Sequence, residues 1–439
     1  MRNSFAIFGV ALVLAAAATA DTPRNVILFI GDGMSTPQRM VAEEFSRKMG
    51  NGPLAINAFP CQGTTRTYSA SSLVTDSAAA STAIACGEKT ANGSIGVDAK
   101  GRRLESCAEA AKKSGRKVGI VTSVTINHAT PAGFYAHQKS RSMLYEIGQD
   151  LVASGFDLFM GGGLAGKYNG KNGNTYDNAA KAGYMVAEGR EGLETLKRSA
   201  RPGDKVWWRV GEDALPYAID AKGDGPRLPE ITKFALDFLG DGFFLMVEGG
   251  RVDWAGHANE AAANLRDMLE LDDAVKVALE FQKTHPDTLI VVTGDHETGG
   301  MTMGFAGTGY AFYMERLANQ TCSTDAFRKR YHELKKQGAD FDAIAALMTE
   351  CYGFKFNGDG SDPMTLTDAE IKSLKRHYAG SGLGDKARRI MQDRAGVGWT
   401  SGSHTGLPAL TTSIGPGSER FTGLMDNTDI SKIMESFWR

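Results

Sequence analysis

Only five cysteines occur in 439 residues, and no two of them form a Cys-x-x-Cys pair. That excludes a disulfide-dense scaffold and leaves no sulfur-ligated zinc site of the finger type. Cys322 and Cys351 bracket a helical segment, Cys86 and Cys107 are the other neighbours, and Cys61 stands alone; spacing by itself does not give connectivity. Charge of one sign is also missing: 49 Lys and Arg face 51 Asp and Glu, for a net charge of −2. With no long Lys/Arg block, no nucleic-acid partner is expected. Long apolar runs are confined to Phe5–Ala18, which follows Arg2 and ends in the small-residue pattern Ala18-Thr19-Ala20. Residues 1–20 therefore read as a signal peptide, too short for the about 20 apolar residues of a membrane span. The expectation is an exported chain over 21–439, periplasmic or secreted, with no stable membrane anchor. No internal repeat and no low-complexity tract follows the leader.

Glycine is abundant, at 53 residues, which suits many tight strand-to-helix turns. Short β-branched runs alternate with helical patterns. Asn25–Ile30, Lys117–Thr122, Phe156–Met160, Phe243–Val247 and Thr288–Thr293 read as buried strands, and Leu104–Ser114 as a helix before the second. Near-continuous apolar strands separated by helices predict an α/β three-layer sandwich with a largely parallel central sheet. Ligands in such sheets sit at the strand C-terminal ends. Three of the five strands run straight into Asp32, Glu248 or Asp295, so the active site is expected there. Gly163–Gly173 reads as a loop. From about 303 to 396 the β-α rhythm lapses into charged helical segments, Asp325–Gly338, Asp342–Cys351 and Asp368–Tyr378. This reads as a helical insertion in the 21–439 domain, serving as a lid or a dimer contact.

The stretch Ser71–Ala83 carries small hydroxylated residues into an alanine-rich segment, with Thr75, Asp76 and Ser77 at the transition. A helix starting there directs unpaired N–H groups and partial positive charge at what precedes it. That terminus suits a phosphate, or the alkoxide of a hydroxyl placed on it; it equally suits a plain structural cap. Further along, Asp253 and His257 are four apart, on one face of a helical turn, and Asp295-His296 follows a strand between Gly294 and Gly299-Gly300. His404 lies in a polar, glycine-containing stretch, and His128 and Thr130 follow the second strand. Asp32, Glu248, Asp253, His257, Asp295, His296 and His404 make an oxygen and nitrogen ligand set without thiolates. Imidazole with carboxylate suits zinc, and a carboxylate and hydroxyl subset suits magnesium.

These blocks carry a family resemblance. Gly31-Asp32-Gly33, Thr75-Asp76-Ser77-Ala78, His128-Ala129-Thr130-Pro131-Ala132-Gly133, Glu248 through His257, Asp295 through Gly300, and His404-Thr405 together resemble the alkaline phosphatases, in the family's order. The resemblance implies a phosphoric monoester hydrolase working through a phosphoserine, with two zinc ions and one magnesium per subunit, assembled as a homodimer. It implies Ser77 as nucleophile, Asp32, Asp295 and His296 as ligands of the zinc that meets Ser77, and Asp253, His257 and His404 as ligands of the other. Asp32, Thr130 and Glu248 would hold magnesium. Arg141 aligns with the arginine that clamps phosphate and Asp76 with a residue that orients it. His128 and Trp254 stand where other members have Asp and Lys, which resembles a subgroup found in some marine bacterial enzymes and leaves the third metal's identity open. Two alternatives stay in view. A phosphodiesterase of the same superfamily commonly uses Thr as nucleophile and needs no arginine for a dianion; a sulfatase would show a C/S-x-P-x-R context that Ser77-Ala78-Ala79 lacks. A non-catalytic exported metal- or phosphate-binding protein would need the ligands but not Ser77.

Overall fold

The computed structural model describes residues 22–438 apart from 222, 224, 306, 307 and 381; the leader expected over 1–20 lies outside the described residues. Strand β1 (Asn25–Gly31) is buried at every position, as its unbroken apolar run requires. Its side chains alternate between two cores: Ile27 and Phe29 enter one, Val26, Leu28 and Ile30 the other. A strand at the centre of a sheet covered on both faces produces that split. Nine more strands join it: β2 (Cys61–Arg66), β3 (Lys117–Thr125), β4 (Leu158–Gly162), β5 (Tyr184–Glu188), β6 (Lys205–Arg209), β7 (Phe243–Gly249), β8 (Thr288–Gly294), β9 (Ala409–Ile414) and β10 (Gly423–Asp426). Their order across the sheet is β10-β2-β9-β8-β1-β7-β3-β4-β6-β5. All pairings are parallel except those of β9, which runs antiparallel to both β8 and β2.

Helices cover both faces. Helix α1 (Thr36–Lys48) puts Val41, Ala42 and Phe45 into the Ile27–Phe29 core, while α2 (Ser77–Cys86) and α3 (Cys107–Lys113) put Ala78, Ile84, Ala108 and Ala111 into the other. Helix α4 (Leu228–Leu239) and the long α6 (Ala261–Thr284), which follows the short α5 (Arg251–His257), complete the α1 side. At roughly 1.5–3 kcal/mol for each fully buried large apolar side chain, this double-sided burial is the main stabilising contribution.

Residues 314–395 contain α7 (Thr324–Lys336), α8 (Phe341–Tyr352), α9 (Asp368–Ala379) and α10 (Leu383–Ala395). Phe327, Ile344, Met348, Leu374, Ile390 and Met391 from these helices belong to the same apolar core as α1 and α6, so the helical segment packs on one face of the sandwich. Cys322, beside the start of α7, hydrogen-bonds Cys351 near the end of α8, and burial lifts the Cys86 and Cys107 thiols where the two lie side by side. Both pairs named from sequence are spatial neighbours, and they stand as buried thiols.

Several boundaries differ from expectation for local reasons. The helix expected from Leu104 begins at Cys107, because Ser106 accepts from the Glu109 N–H while the Glu109 carboxylate takes the Ser106 N–H. That reciprocal capping fixes the first turn. The strand expected from Phe156 begins at Leu158; Asp157, just before it, bonds both neighbouring strands through its backbone while its side chain accepts from the Val118 N–H at 2.8 Å. The loop expected over 163–173 contains one side of a two-residue hairpin, Tyr168–Asn169 against Gly173–Asn174. No helix among the described residues is long and apolar enough to cross a membrane.

Candidate active site

Register brings the acidic strand ends together. Gly31 pairs with Gly294 on β8 and with Gly249 on β7, and Ile30 pairs with Glu248. Asp32, Asp295 and Glu248 therefore emerge side by side at the C-terminal edge, all fully buried. Two glycines make that edge possible. Gly33 has φ +74°, and its N–H donates to Asp295 Oδ1 at 3.0 Å. At Gly294, a side chain would run into the Met34 carbonyl oxygen.

Burial raises the pKa of Asp32 and Asp295 well above the ordinary carboxylate value, with repulsion from the other carboxylates adding to it. Glu248 is pushed up to about 7, burial again dominating. Asp32 Oδ1, Asp295 Oδ2 and Glu248 Oε1 have no hydrogen-bond partner. Buried carboxylate oxygens are normally paired or bound to a cation.

The imidazoles supply the complementary half. His404 Nδ1 donates to the Thr75 carbonyl at 2.8 Å and His257 Nδ1 to the Gly402 carbonyl at 2.8 Å. A carbonyl can only accept, so in each neutral ring the Nε2 carries a lone pair. Those two Nε2 atoms face one another at 3.0 Å, and they lie 3.4 Å (His257) and 3.5 Å (His404) from Asp253 Oδ1. His296 follows the same logic. Thr298 Oγ1 donates to Asp253 Oδ1 at 2.5 Å, so it accepts from His296 Nδ1 at 3.2 Å. The His296 Nε2 lone pair then points at Ser77 Oγ (3.2 Å), Asp295 Oδ2 (3.2 Å) and Asp32 Oδ1 (3.3 Å). Burial, then His404 and His257, holds His296 well below its usual pKa, which keeps it neutral. Opposed lone pairs beside unpartnered carboxylates form a cation site, and the nitrogen–oxygen donor set fits zinc.

Three clusters of potential ligands result, each with its donor atoms within 4.8 Å of one another: Asp32, Asp295 and His296; Asp253, His296 and His404; and Asp32, His128 and Glu248. Thr130 Oγ1 donates to Asp32 Oδ2 at 3.2 Å, beside the third cluster. His128 is held down to about 3 by burial, with Arg141 and His257 contributing. Trp254 meets the His128 ring edge-on at 5.9 Å between centroids, and the Arg251 guanidinium lies 4.4 Å over its ring.

Ser77 is the first residue of α2, whose cap is Asp76. Asp76 Oδ1 accepts from the Ala79 N–H at 3.0 Å, and Oδ2 accepts from Arg141 Nη1 at 3.1 Å. The guanidinium is thus partly exposed beside the Asp76 cap of α2, with its Nη2 3.4 Å from His128 Nε2. Arg141 belongs to the loop after the His128 turn, pinned by its own N–H to the Gly93 carbonyl at 2.7 Å.

The residues singled out from the sequence are thus linked by contacts at one edge of the sheet. Sequence reasoning overlooked the residues that aim them. Thr298 joins Asp253 to His296. Thr122 donates to Glu248 Oε2, and Ser123 Oγ accepts from the Gly250 N–H, starting α5. Glu297 accepts from Gln38 Nε2, the Gly300 N–H and Thr405 Oγ1, tying the His404 strand to α1. Their only sequence signal is proximity to the acidic and histidine motifs.

The alkaline phosphatase family model matches residues 23–439. Alkaline phosphatase 3 of Bacillus subtilis is 33% identical over 429 residues, covering 94% of this chain and 88% of that protein. The crystal structure of a cold-active alkaline phosphatase from the psychrophile Shewanella sp. superposes with a TM-score of 0.83 at 30% identity, over 94% of this chain and 100% of that one. A His-to-Asp variant of the alkaline phosphatase from the Antarctic bacterium TAB5 superposes with a TM-score of 0.67 at 26% identity, over 95% and 98% of the two chains. A match along almost the whole chain, joined to three clusters of converging metal donors at the strand ends, makes this protein a member of the alkaline phosphatase family.

Proposed function

We propose that this chain hydrolyses phosphate monoesters to an alcohol and inorganic phosphate through a phosphoserine at Ser77. The observation that carries the reading is the meeting, at one strand-end edge, of three Nε2 lone pairs and three unpartnered carboxylate oxygens, with His296 Nε2 3.2 Å from the Ser77 hydroxyl. Asp32, Asp295 and His296 would hold one zinc, Asp253, His257 and His404 the other, and Asp32, Thr130 and Glu248 a magnesium beside His128. A His-to-Asp variant of the TAB5 enzyme binds Mg, which supports magnesium as a metal of this fold. Bound there, the metals would supply Lewis acidity, lowering the pKa of the serine hydroxyl and of water and offsetting charge on the leaving oxygen.

The chain's own groups do the rest. Arg141, oriented by Asp76, presents a planar fork to two oxygens of the phosphate dianion, which places phosphorus over Ser77. Ser77 sits at the α2 start, where helix N–H groups favour an anionic oxygen. Its oxygen bonds to phosphorus as the ester oxygen leaves and takes up a proton to become the alcohol; water then bonds to the same phosphorus, breaking its bond to Ser77 and releasing inorganic phosphate. Meanwhile Thr298, Gly402 and Thr75 keep protons on the Nδ1 atoms of His296, His257 and His404, so their Nε2 atoms stay available. Trp254 packs edge-on against His128 beside the third cluster. Two successive in-line displacements give net retention at phosphorus.

The leader composition supports export, and the family supports a homodimer. Ser77→Ala tests the core of the reading: the variant keeps its metal content and loses nearly all turnover on an aryl phosphate. Hydrolysis by Ser77→Ala near the wild-type rate would sink it.

A further inference from the structure

Asn259 is the only residue other than glycine with a positive φ among the described residues, at +49°. It ends α5 two residues past His257, where its N–H donates to the Gly256 carbonyl at 2.9 Å and the Glu260 N–H closes onto the Ala255 carbonyl at 2.8 Å. A left-handed residue in that place is usually glycine, with asparagine the next choice. The side chain gives a reason for asparagine here. Its Nδ2 donates to the Gly256 carbonyl at 3.0 Å and across to the Ser401 carbonyl at 2.7 Å. Ser401 and Gly402 lead into His404, and the Gly402 carbonyl accepts the His257 Nδ1 proton. Asn259 and His257 therefore grip adjacent carbonyls of the loop that delivers His404.

We propose that Asn259 is a positioning residue for the cation site made by Asp253, His257 and His404, setting the 3.0 Å approach of the two Nε2 atoms. This rests on the reading that those three residues hold a zinc. Glycine at 259 would give the same turn without backbone strain but no tether. The far side of the loop stays anchored, since the Gly299 N–H donates to the Ser403 carbonyl at 2.9 Å and the Gly299 carbonyl accepts from Thr400 and Ser401. Losing the Asn259 bond thus loosens the approach of loop to helix and leaves the fold in place.

The test is zinc release from the reconstituted holoenzyme into a chromophoric chelator, followed for wild type, Asn259→Gly and Asn259→Asp. Groups that orient metal ligands typically contribute about 10- to 100-fold in affinity. Asn259→Gly is expected to release one of its two zinc ions at least about tenfold faster while the other leaves at the wild-type rate. Asn259→Asp keeps the left-handed backbone but turns an acceptor toward two carbonyls, so it should release that same ion at least as fast as Asn259→Gly. The metal-free variants should melt with the metal-free wild type, because the role lies in the metal site. Wild-type release rates in Asn259→Gly, or equal acceleration of both ions, would overturn the positioning role alone. A wild type that binds no zinc on reconstitution would overturn the underlying reading as well.

Discussion

Replacing Glu248 by Gln should make the metal-free protein more stable and the metal-loaded protein less so. Glu248 is fully buried and its folded pKa is pushed from its ordinary 4.5 to about 7, chiefly by burial. The unfolded chain gives up this proton near pH 4.5 and the folded metal-free chain only near pH 7. Between those values the folded state binds more protons, so stability falls as pH rises. The penalty is absent below the unfolded pKa and complete above the folded one. At about 1.4 kcal/mol per unit, it is on the order of 3 kcal/mol. Over roughly 420 residues an unfolding entropy of about 2.1 cal/mol/K per residue converts that to about 3–4 °C in melting temperature. Glutamine keeps an oxygen for the Thr122 hydroxyl and turns its amide toward Asp32. It also removes a like charge that raises Asp32 and Asp295. The assay is melting in excess chelator at pH 5 and pH 9, for wild type and Glu248→Gln. The variant should melt higher at pH 9, with the gap shrinking to about a quarter of its size at pH 5. Adding zinc and magnesium should reverse the order, because wild type gains a ligand contact the variant lacks. A variant no more stable than wild type at pH 9 in chelator, or a gap independent of pH, would refute the electrostatic argument.

Arg141→Ala should raise the inhibition constant for inorganic phosphate about 10- to 100-fold, the range expected for losing charged hydrogen bonds; an unchanged constant would move the clamp elsewhere. Thr298→Val, close in shape, removes the hydroxyl bridging Asp253 and His296. It should speed the release of both zinc ions and lower kcat/KM about 10- to 100-fold, with Thr298→Ser recovering much of the loss. Metal release and turnover indistinguishable from wild type in Thr298→Val would show that the bridge does not aim these ligands.

Periodicity made the central strands legible, because β1, β7 and β8 are buried on both faces and their middles are runs of apolar residues, with polar groups confined to their ends. The outer strands escaped. β2 alternates buried and exposed residues in a threonine- and glutamine-containing run, and β9 joins the sheet only through partners more than a hundred residues away. Helix α10 has its buried face defined by α7, α9 and the turn at Met314–Asn319, which a local pattern does not reveal.

The site divides in the same way. Side-chain chemistry belongs to the sequence: carboxylates after apolar strands, imidazoles in glycine-bounded turns and a serine at a helix start can be named from type and order. Orientation belongs to the fold. The parallel register of β7, β1 and β8 sets three carboxylates abreast. Carbonyls at Thr75 and Gly402 and the Thr298 hydroxyl, remote or unremarkable in the chain, fix which ring nitrogen carries a lone pair. A hydrogen bond of a few ångströms between residues 145 or 329 positions apart has no local signature. Sequence thus determined which groups could perform the chemistry, and tertiary structure alone decided where their lone pairs point, because direction depends on distant backbone.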